Sequence, residues 1–342
     1  MGGEDAYIVI AVNERLGNDI ENVLVFNGVK DENYCRISNT CIREMLINQS
    51  QNMSGVLNRI DELEKSILRL TPRPILKLGF HLVDACNLNC RGCFHFSPLA
   101  RRGEGMWLAD PDEFERDMER LSELAKGGLS TITLFGGEPL LHPQAYKFPY
   151  IVKKYFPDAF VEFMTNGLLI PQQDDKFWKS IEENDVNIAW GKYPVKAEVN
   201  EQIEMTLKQK CRKCRNFTQE ENKVLSKQVY DFDAHGERGQ RGQNDGRYQW
   251  IHCWAANTCI QLRNHRIYPC VQSAYLPLLT EFFGLKNVVS DRDGIDIFEA
   301  KDYSEIMNFI AKPIPCCRFC RIDKQVDGYQ YGSSKQDLSE WT

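Results

Sequence analysis

The sequence contains no run of eighteen apolar residues, so no membrane-spanning helix is expected. It has no surplus of positive charge either. The formal net charge is −6, which argues against an electrostatic nucleic-acid binder and leaves room for one local basic patch at most. The opening residues, Met1-Gly2-Gly3-Glu4-Asp5, lack the basic and apolar regions of a secretory signal. The expected location is therefore cytoplasmic. Met1-Gly2-Gly3 reads as an added leader, so the natural start is expected to differ. With membrane and nucleic acid set aside, the expected partners are small molecules or peptides. The 342 residues suffice for two or three domains of ordinary globular composition.

Cysteine is the residue in surplus. Of thirteen cysteines, ten fall in tight groups: Cys86/Cys90/Cys93, Cys211/Cys214, Cys253/Cys259 and Cys316/Cys317/Cys320. Cys270 follows closely after the third group. Disulfide frameworks this dense belong to short secreted chains that begin with a signal. Thiols two or three residues apart bind metal more readily than they bridge distant strands, so metal or cluster binding is expected. Cys35 and Cys41 have no partner motif and read as core residues.

Along the chain, residues 6–50 read as a truncated βα segment. Tyr7-Ile8-Val9-Ile10-Ala11-Val12 suits a buried strand, and a helical pattern beginning at Asp19 stops at Gly28. Val56, Ile60, Leu63, Ile67 and Leu70 recur at helical spacing, which predicts a linker helix over 53–70. Thr71-Pro72-Arg73-Pro74 ends it and marks a boundary. Strands are then expected at 75–84, 130–135, 160–165 and 186–190, with helices at 111–126, 144–155 and 174–183. That alternation implies βαβ units and a parallel sheet over a core domain of residues 75–230. The polar, glycine-rich stretch 231–250 reads as a flexible loop. A cysteine-rich domain follows over 251–325, then a C-terminal tail over 326–342, of which the polar part after Gly332 is expected to fray.

The first expected strand runs into Cys86-Asn87-Leu88-Asn89-Cys90-Arg91-Gly92-Cys93, a C-x3-C-x2-C loop. Three thiolates on one loop can hold three irons of a 4Fe–4S cube and leave the fourth iron open for chemistry. Zinc held by the three cysteines and His95 is the alternative on this loop alone. The next strand ends in Phe135-Gly136-Gly137-Glu138-Pro139, and the one after it in Phe163-Met164-Thr165-Asn166-Gly167. Both lie where parallel sheets place their active sites. Glycine at 136 and 137 would permit a ligand to approach the backbone.

The cysteine loop followed by Gly136-Gly137-Glu138-Pro139 resembles the radical S-adenosylmethionine (SAM) superfamily, over roughly residues 75–230. The resemblance implies a partial (β/α)6 barrel and an iron–sulfur cluster on Cys86, Cys90 and Cys93. It also implies that SAM chelates the open iron and is cleaved to a 5′-deoxyadenosyl radical, which abstracts hydrogen from an organic substrate. A low-potential donor such as flavodoxin or ferredoxin is the implied partner. Gly136, Gly137, Glu138 and Pro139 would then hold the methionyl amine, with Thr165 and Asn166 beside them. Lys192, after the strand ending in Trp190-Gly191, is a candidate for the SAM carboxylate or an exposed lysine before a turn. The family commonly places an aromatic residue before the third cysteine, against adenine. This sequence has Gly92 there, and Phe94 or Phe96 is the expected replacement.

Downstream, Cys253-x5-Cys259-x10-Cys270 is followed 46 residues later by Cys316-Cys317-Arg318-Phe319-Cys320. Residues 260–263 and 266–269 can form a hairpin around Asn264-His265. The segment resembles the auxiliary-cluster extensions called SPASM and Twitch. Their usual glycine is His265 here, a residue that tolerates positive φ better than most. The resemblance implies a second 4Fe–4S cluster on Cys270, Cys317 and Cys320 with Cys253 or Cys259, or with both. Structural zinc is the alternative. Cys211 and Cys214 could add ligands to a further site.

The reading that follows is a radical SAM enzyme, an oxidoreductase acting on a small sugar-like substrate with help from the second cluster. A peptide-modifying maturase is the second enzyme reading. A zinc-stabilised interaction protein is the non-enzyme reading.

Overall fold

A computed structural model describes residues 8–10, 24–25, 28–30, 34–37, 67–69, 77–126, 128–211, 218–220, 225–227, 230, 242, 244–256, 258–324, 326–329 and 331–342. The chain falls into two units, 1–73 with 307–312 and 74–306 with 313–342. In the first, β1 (Ile8–Ile10) pairs in parallel with β2 (Tyr34–Ile37), as the βα reading of this segment anticipates. The far edge of β2 takes β3 (Ile67–Arg69) antiparallel. This corrects the end of the helix expected over 53–70. The remainder of that helix lies outside the described residues. Periodicity registers an apolar face but not an open strand edge with unpaired backbone groups, and the edge prevails over propensity here.

The second unit is built on an eight-stranded sheet. Its strands are β4 (Lys77–Val83), β5 (Thr131–Gly136), β6 (Phe160–Thr165), β7 (Asn187–Gly191), β8 (Thr218–Glu220), β10 (Ile260–Arg263), β11 (Arg266–Tyr268) and β12 (Ile295–Asp296). The order is β12-β11-β10-β4-β5-β6-β7-β8. From β10 to β8 neighbouring strands run parallel, while β11 and β12 are antiparallel additions. β9 (Leu225–Lys227) pairs apart from this sheet with β13 (Val326–Tyr329). Helices α1 (Pro111–Ala125), α2 (Lys147–Tyr155), α3 (Asp175–Glu183) and α4 (Ala197–Lys210) separate the parallel strands. This is the mixed α/β arrangement expected of a partial (β/α)6 barrel.

Local chemistry explains the first βα unit. On β4, Leu78, Phe80 and Leu82 are buried on one face, where Phe80 meets Phe114 at 4.3 Å between ring centroids and Phe114 meets Phe148 at 5.2 Å. Alternation sends Gly79 and His81 to the other face. Helix α1 starts where the Asp110 carboxylate accepts the Asp112 N–H and Pro111 pre-sets the first turn. Its Phe114, Met118 and Leu121 then fall on the buried stripe. Each such side chain contributes about 1.5–3 kcal/mol by burial.

The hairpin expected around Asn264-His265 is β10 and β11, and both turn residues have positive φ, 48° and 62°. It does not stand apart, because β10 lies beside β4 and extends the barrel sheet, Leu262 opposite Phe80. His265 Nδ1 reaches Asp117 of α1 at 2.6 Å and ties the turn down. Within the expected loop 231–250, α5 (Gly246–Ile251) is helical. Of the rest of that stretch, residues 231–241 and 243 lie outside the described residues.

The tail departs most from expectation. Residues 331–342 pack along the cysteine loop instead of fraying. Ser334 N–H donates to Asn89 O at 2.7 Å and Arg91 N–H to Gly332 O at 2.7 Å. Trp341 is fully buried and donates from Nε1 to the Cys93 carbonyl at 2.9 Å. Glu340 accepts from the Gly92 N–H at 3.3 Å and from the Lys335 N–H at 2.6 Å. A loop outside regular structure must find partners for its backbone groups, and this polar tail supplies them.

Candidate active site and second cysteine cavity

Cys86, Cys90 and Cys93 follow β4 directly, so strand direction delivers all three to the C-terminal end of the parallel sheet. Gly136-Gly137-Glu138-Pro139 arrives beside them from β5, and Thr165 and Asn166 from β6. Glu138 joins the three. Its carboxylate accepts from Thr165 Oγ1 at 2.7 Å, the Asn166 N–H at 3.0 Å and the Leu140 N–H at 3.1 Å. Burial pushes that carboxyl up to about 7 against the pull of these donors.

Packing also requires glycine at 137. A Cβ there would sit 2.2 Å from Ala85 O, and its N–H already donates to Val83 O at 2.8 Å. The glycine lets β5 press on the cysteine loop itself. A branched residue at 137 would therefore displace that loop rather than act on a ligand alone.

Donors converge on the first two thiols. Cys86 Sγ accepts from the Leu88 N–H at 3.3 Å and from Asn166 Nδ2 at 3.6 Å. Tyr193 and Tyr331 stand beside Cys90 and favour its thiolate, with their rings 5.8 Å apart. These two tyrosines went unnoticed in the sequence, where nothing but proximity to Gly191 and Gly332 marks them. Burial pushes the Cys86 and Cys90 thiols up to about 12, so at neutral pH a metal must displace the proton before either becomes a ligand. Lys192 stands just beyond β7, half-buried, at the same end of the sheet.

The aromatic assignments separate. Phe96 is fully buried with φ 56° and packs near Tyr230 and Trp341, so it is not free to face a ligand. Phe94 is half-buried, 4.5 Å from the His95 ring and 6.5 Å from Trp254. Gly92 has φ 65°, a conformation that a bulky aromatic residue would strain.

A polar network occupies the other face of β4. Arg263 donates to both carboxylate oxygens of Asp84 at 2.7 Å each. Asp84 meets His81 Nδ1 at 3.1 Å, and His81 Nε2 meets His95 Nδ1 at 2.9 Å. Tyr275 stacks on His81 at 3.4 Å, and Arg263 lies over Trp107 and Tyr275. Burial alone would raise Asp84, but hydrogen bonds from His81 and Arg263 outweigh it and hold the carboxyl at about 2. Burial pushes His81 down to about 4 despite Asp84. Sequence reading missed this network because Arg263 lies 179 residues from Asp84.

The second group forms a cavity lined by Cys253, Cys270, Cys316, Cys317 and Cys320. Cys259, at the foot of β10, is outside this lining. Cys270 caps α6 (Val271–Phe283), where its Sγ accepts from the Ser273 N–H at 3.4 Å. The positive end of a helix favours a thiolate there, whereas burial pushes the free thiol up to about 12. Cys316 donates its backbone N–H to Asp293. Trp250 and Gln272 also line the cavity, and among the described residues the buried donors Trp250 Nε1 and Gln272 Nε2 have no hydrogen-bond partner. A cluster fits such a place, since its sulfides and thiolates are acceptors. Among the described residues no three His, Cys, Asp or Glu side chains close on a single metal ion. A cube binds each thiolate to a separate iron and spaces its ligands more widely. Cys211, buried, ends α4, and Cys214 lies outside the described residues.

Residues 81–189 match the family model described as the Radical SAM superfamily. Over 99 residues the chain is 32% identical to a probable GTP 3',8-cyclase from Thermoplasma volcanium, a match over 29% of this chain and 28% of that relative. Less than a third of that relative's length is therefore spanned. Among solved structures, the chain is similar to BtrN in complex with AdoMet and 2-DOIA, with TM-score 0.43, 16% identity, and 72% of this chain and 92% of that chain covered. It is also similar to native anSMEcpe with bound AdoMet, with TM-score 0.44, 16% identity, and 73% and 84% covered. No helix among the described residues is long and apolar enough to cross a membrane.

Proposed function

We propose that this radical SAM enzyme, whose superfamily domain occupies residues 81–189, oxidises a small sugar-like substrate with the help of a second iron–sulfur cluster. The observation that carries the proposal is the pairing of two thiol sites in one unit: an open loop of three cysteines and a cavity lined by five. When bound, the first cluster and SAM would supply reductive SAM cleavage and hydrogen abstraction, and the second cluster would accept the electron left on the substrate.

The protein's own part is to hold and orient. Cys86, Cys90 and Cys93 would hold three irons of the first cluster. Asn166 and the Leu88 N–H donate to the Cys86 sulfur, and Tyr193 and Tyr331 beside Cys90 favour its thiolate, in a half-buried loop. Glu138 fixes the ends of β5 and β6 around that loop. Cys253, Cys270, Cys317 and Cys320 are the preferred holders of the second cluster. Cys316 is left out of this set because Cys317 and Cys320 already supply the C-x2-C pair.

The test is anaerobic reconstitution with iron and sulfide, followed by assay of 5′-deoxyadenosine with SAM and a low-potential reductant. Replacing Cys86, Cys90 and Cys93 together with alanine should abolish 5′-deoxyadenosine while iron at the second site persists. Undiminished SAM cleavage in that variant would sink the catalytic assignment. Mass spectrometry with candidate polyols and peptides then separates a sugar-like substrate from a peptide.

A further inference from the structure

We propose that Trp254 is the wall against which the substrate stacks, and that this wall selects a cyclic polyol. The indole face takes the polyol's C–H hydrogens, and Nε1–H donates to one of its hydroxyls. Four rings stand in line here. Phe135, next to Gly136, lies edge-on to His95 at 5.1 Å between centroids. His95 is 4.5 Å from Phe94, and Phe94 meets Trp254 at 6.5 Å with the ring planes 88° apart. The line starts at the end of β5, passes the residue after Cys93 and ends at the residue after Cys253. It therefore joins the first thiol site to the second within one unit of the fold.

Exposure rises along the line. Phe135 is 8% exposed, His95 and Phe94 are half-buried, and Trp254 is 43% exposed. A core shuts every ring away from water, and a scattered surface ring has no such row behind it. A row of rings that opens to solvent at one end is built like the wall of a cleft. Trp254 is also held in place. Thr258 Oγ1 donates to its carbonyl at 2.6 Å, and Ala255 and Ala256 beside it are buried. Its own Nε1–H has no partner among the described residues, yet it is not one of the atoms sealed from solvent.

That the ligand is the substrate rests on the function proposed above, in which one molecule is served by both sites and must reach both. Trp254 stands where the segments carrying the two sites meet. It offers the two contacts that a cyclic polyol can use. The face of an indole is negative and attracts the C–H hydrogens that a six-membered ring presents together. The N–H at its edge is a donor for a hydroxyl oxygen. An open-chain polyol presents no such face until it is ordered, and that ordering costs affinity.

The test is binding, read by saturation-transfer difference NMR on anaerobic, oxidised holoenzyme with SAM present. Wild type should transfer saturation to the ring C–H protons of myo-inositol or methyl β-D-glucopyranoside, and only weakly to sorbitol. Trp254→Ala should weaken binding of the cyclic compound about tenfold, and Trp254→Phe, which keeps a ring without the N–H, about threefold. Trp254→Phe carries the test should Trp254→Ala not fold. No binding of either cyclic compound to wild type overturns the proposal, as does affinity unchanged in either folded variant. Sorbitol bound as tightly as the cyclic compounds also overturns it. So does a SAM affinity that falls in step with that of the polyol, since the indole would then belong to the nucleotide. Iron content and 5′-deoxyadenosine formed without polyol, measured on the same samples, report separately on the radical SAM reading. Trp254-dependent binding without 5′-deoxyadenosine would sink that reading and leave the polyol wall standing.

Discussion

The two thiol sites of this chain are built in opposite ways. The first takes all three cysteines from eight consecutive residues, and distant segments then supply hydrogen-bond donors to it. The second draws its thiols from three places in the chain, around Cys253, at the cap of α6 and at Cys316–Cys320, and two donors of the residues that line it have no acceptor among the described residues. A site on one loop can keep its ligands together while the fold around it changes. A site assembled across segments needs the fold, and the fold in turn gains from whatever closes it.

The largest effect that would break this comparison is loss of the second site by itself. Cys317→Ala with Cys320→Ala should lower iron by about one four-iron unit while the first cluster remains. SAM cleavage should continue and product formation should fall. Iron equal to wild type would show that these thiols hold no cluster, and zinc recovered there in the wild type would remove the redox role.

Next comes the dependence of the first loop on its support. Trp341→Ala deletes a fully buried ring and the donor to the Cys93 carbonyl. It should cost about 3–5 kcal/mol, read as a shifted denaturant midpoint, and should speed hydrogen exchange at residues 89–93. An unchanged midpoint would mean that the tail merely rests on the loop.

A smaller effect tests how the hairpin that leads into Cys270 is anchored. Burial pushes Asp117 up to about 6, against the pull of His265. Because the folded value lies above the unfolded one, this group's contribution is fully present below about pH 4 and is lost as pH rises through about 6. The loss should be roughly 2–3 kcal/mol, and Asp117→Asn should flatten the stability profile across that window. A wild-type profile already flat from pH 4 to 7 would contradict the burial of an ionisable Asp117.

Much of this architecture was legible in the sequence because its signals are local. The C-x3-C-x2-C loop, the βα alternation and the Asn264-His265 turn each depend on a few adjacent residues, and each stands where periodicity and turn chemistry put it. The missed features are non-local. β3 exists because β2 has an open edge. The tail is ordered because loop backbone groups 245 residues away need partners, as with Asn89 and Ser334. Arg263 gives no sign in sequence of serving Asp84, and the His81–His95 contact appears only once β4 and the loop after Cys93 are folded together. Cys253 and Cys259 looked equivalent; Cys253 lines the cavity, while Cys259 stands just before β10, outside that lining but within electrostatic reach of Cys253 and Cys270.

The smallest expected effect is also the sharpest on the second site, because its sign depends on what fills the cavity. Trp250 is buried, and its Nε1–H has no acceptor among the described residues. A buried donor left without a partner costs about 1–3 kcal/mol. If the cavity stays empty, Trp250→Phe removes that cost and should stabilise the protein. If a cluster occupies it, the indole N–H would donate to a sulfur, and the same substitution would remove a stabilising hydrogen bond. Thermal unfolding of cluster-free and reconstituted protein should therefore respond in opposite directions. The reduced cluster carries more negative charge, so an N–H donor stabilises it preferentially and raises its potential. Losing a hydrogen bond of about 1 kcal/mol should lower the second potential by roughly 40 mV on a one-electron couple. That shift is read by redox titration monitored by electron paramagnetic resonance, with iron content unchanged and the first cluster's potential as the internal reference. A shift of equal size at both clusters, or stabilisation in both cluster-free and reconstituted protein, would mean that Trp250 does not face a cluster.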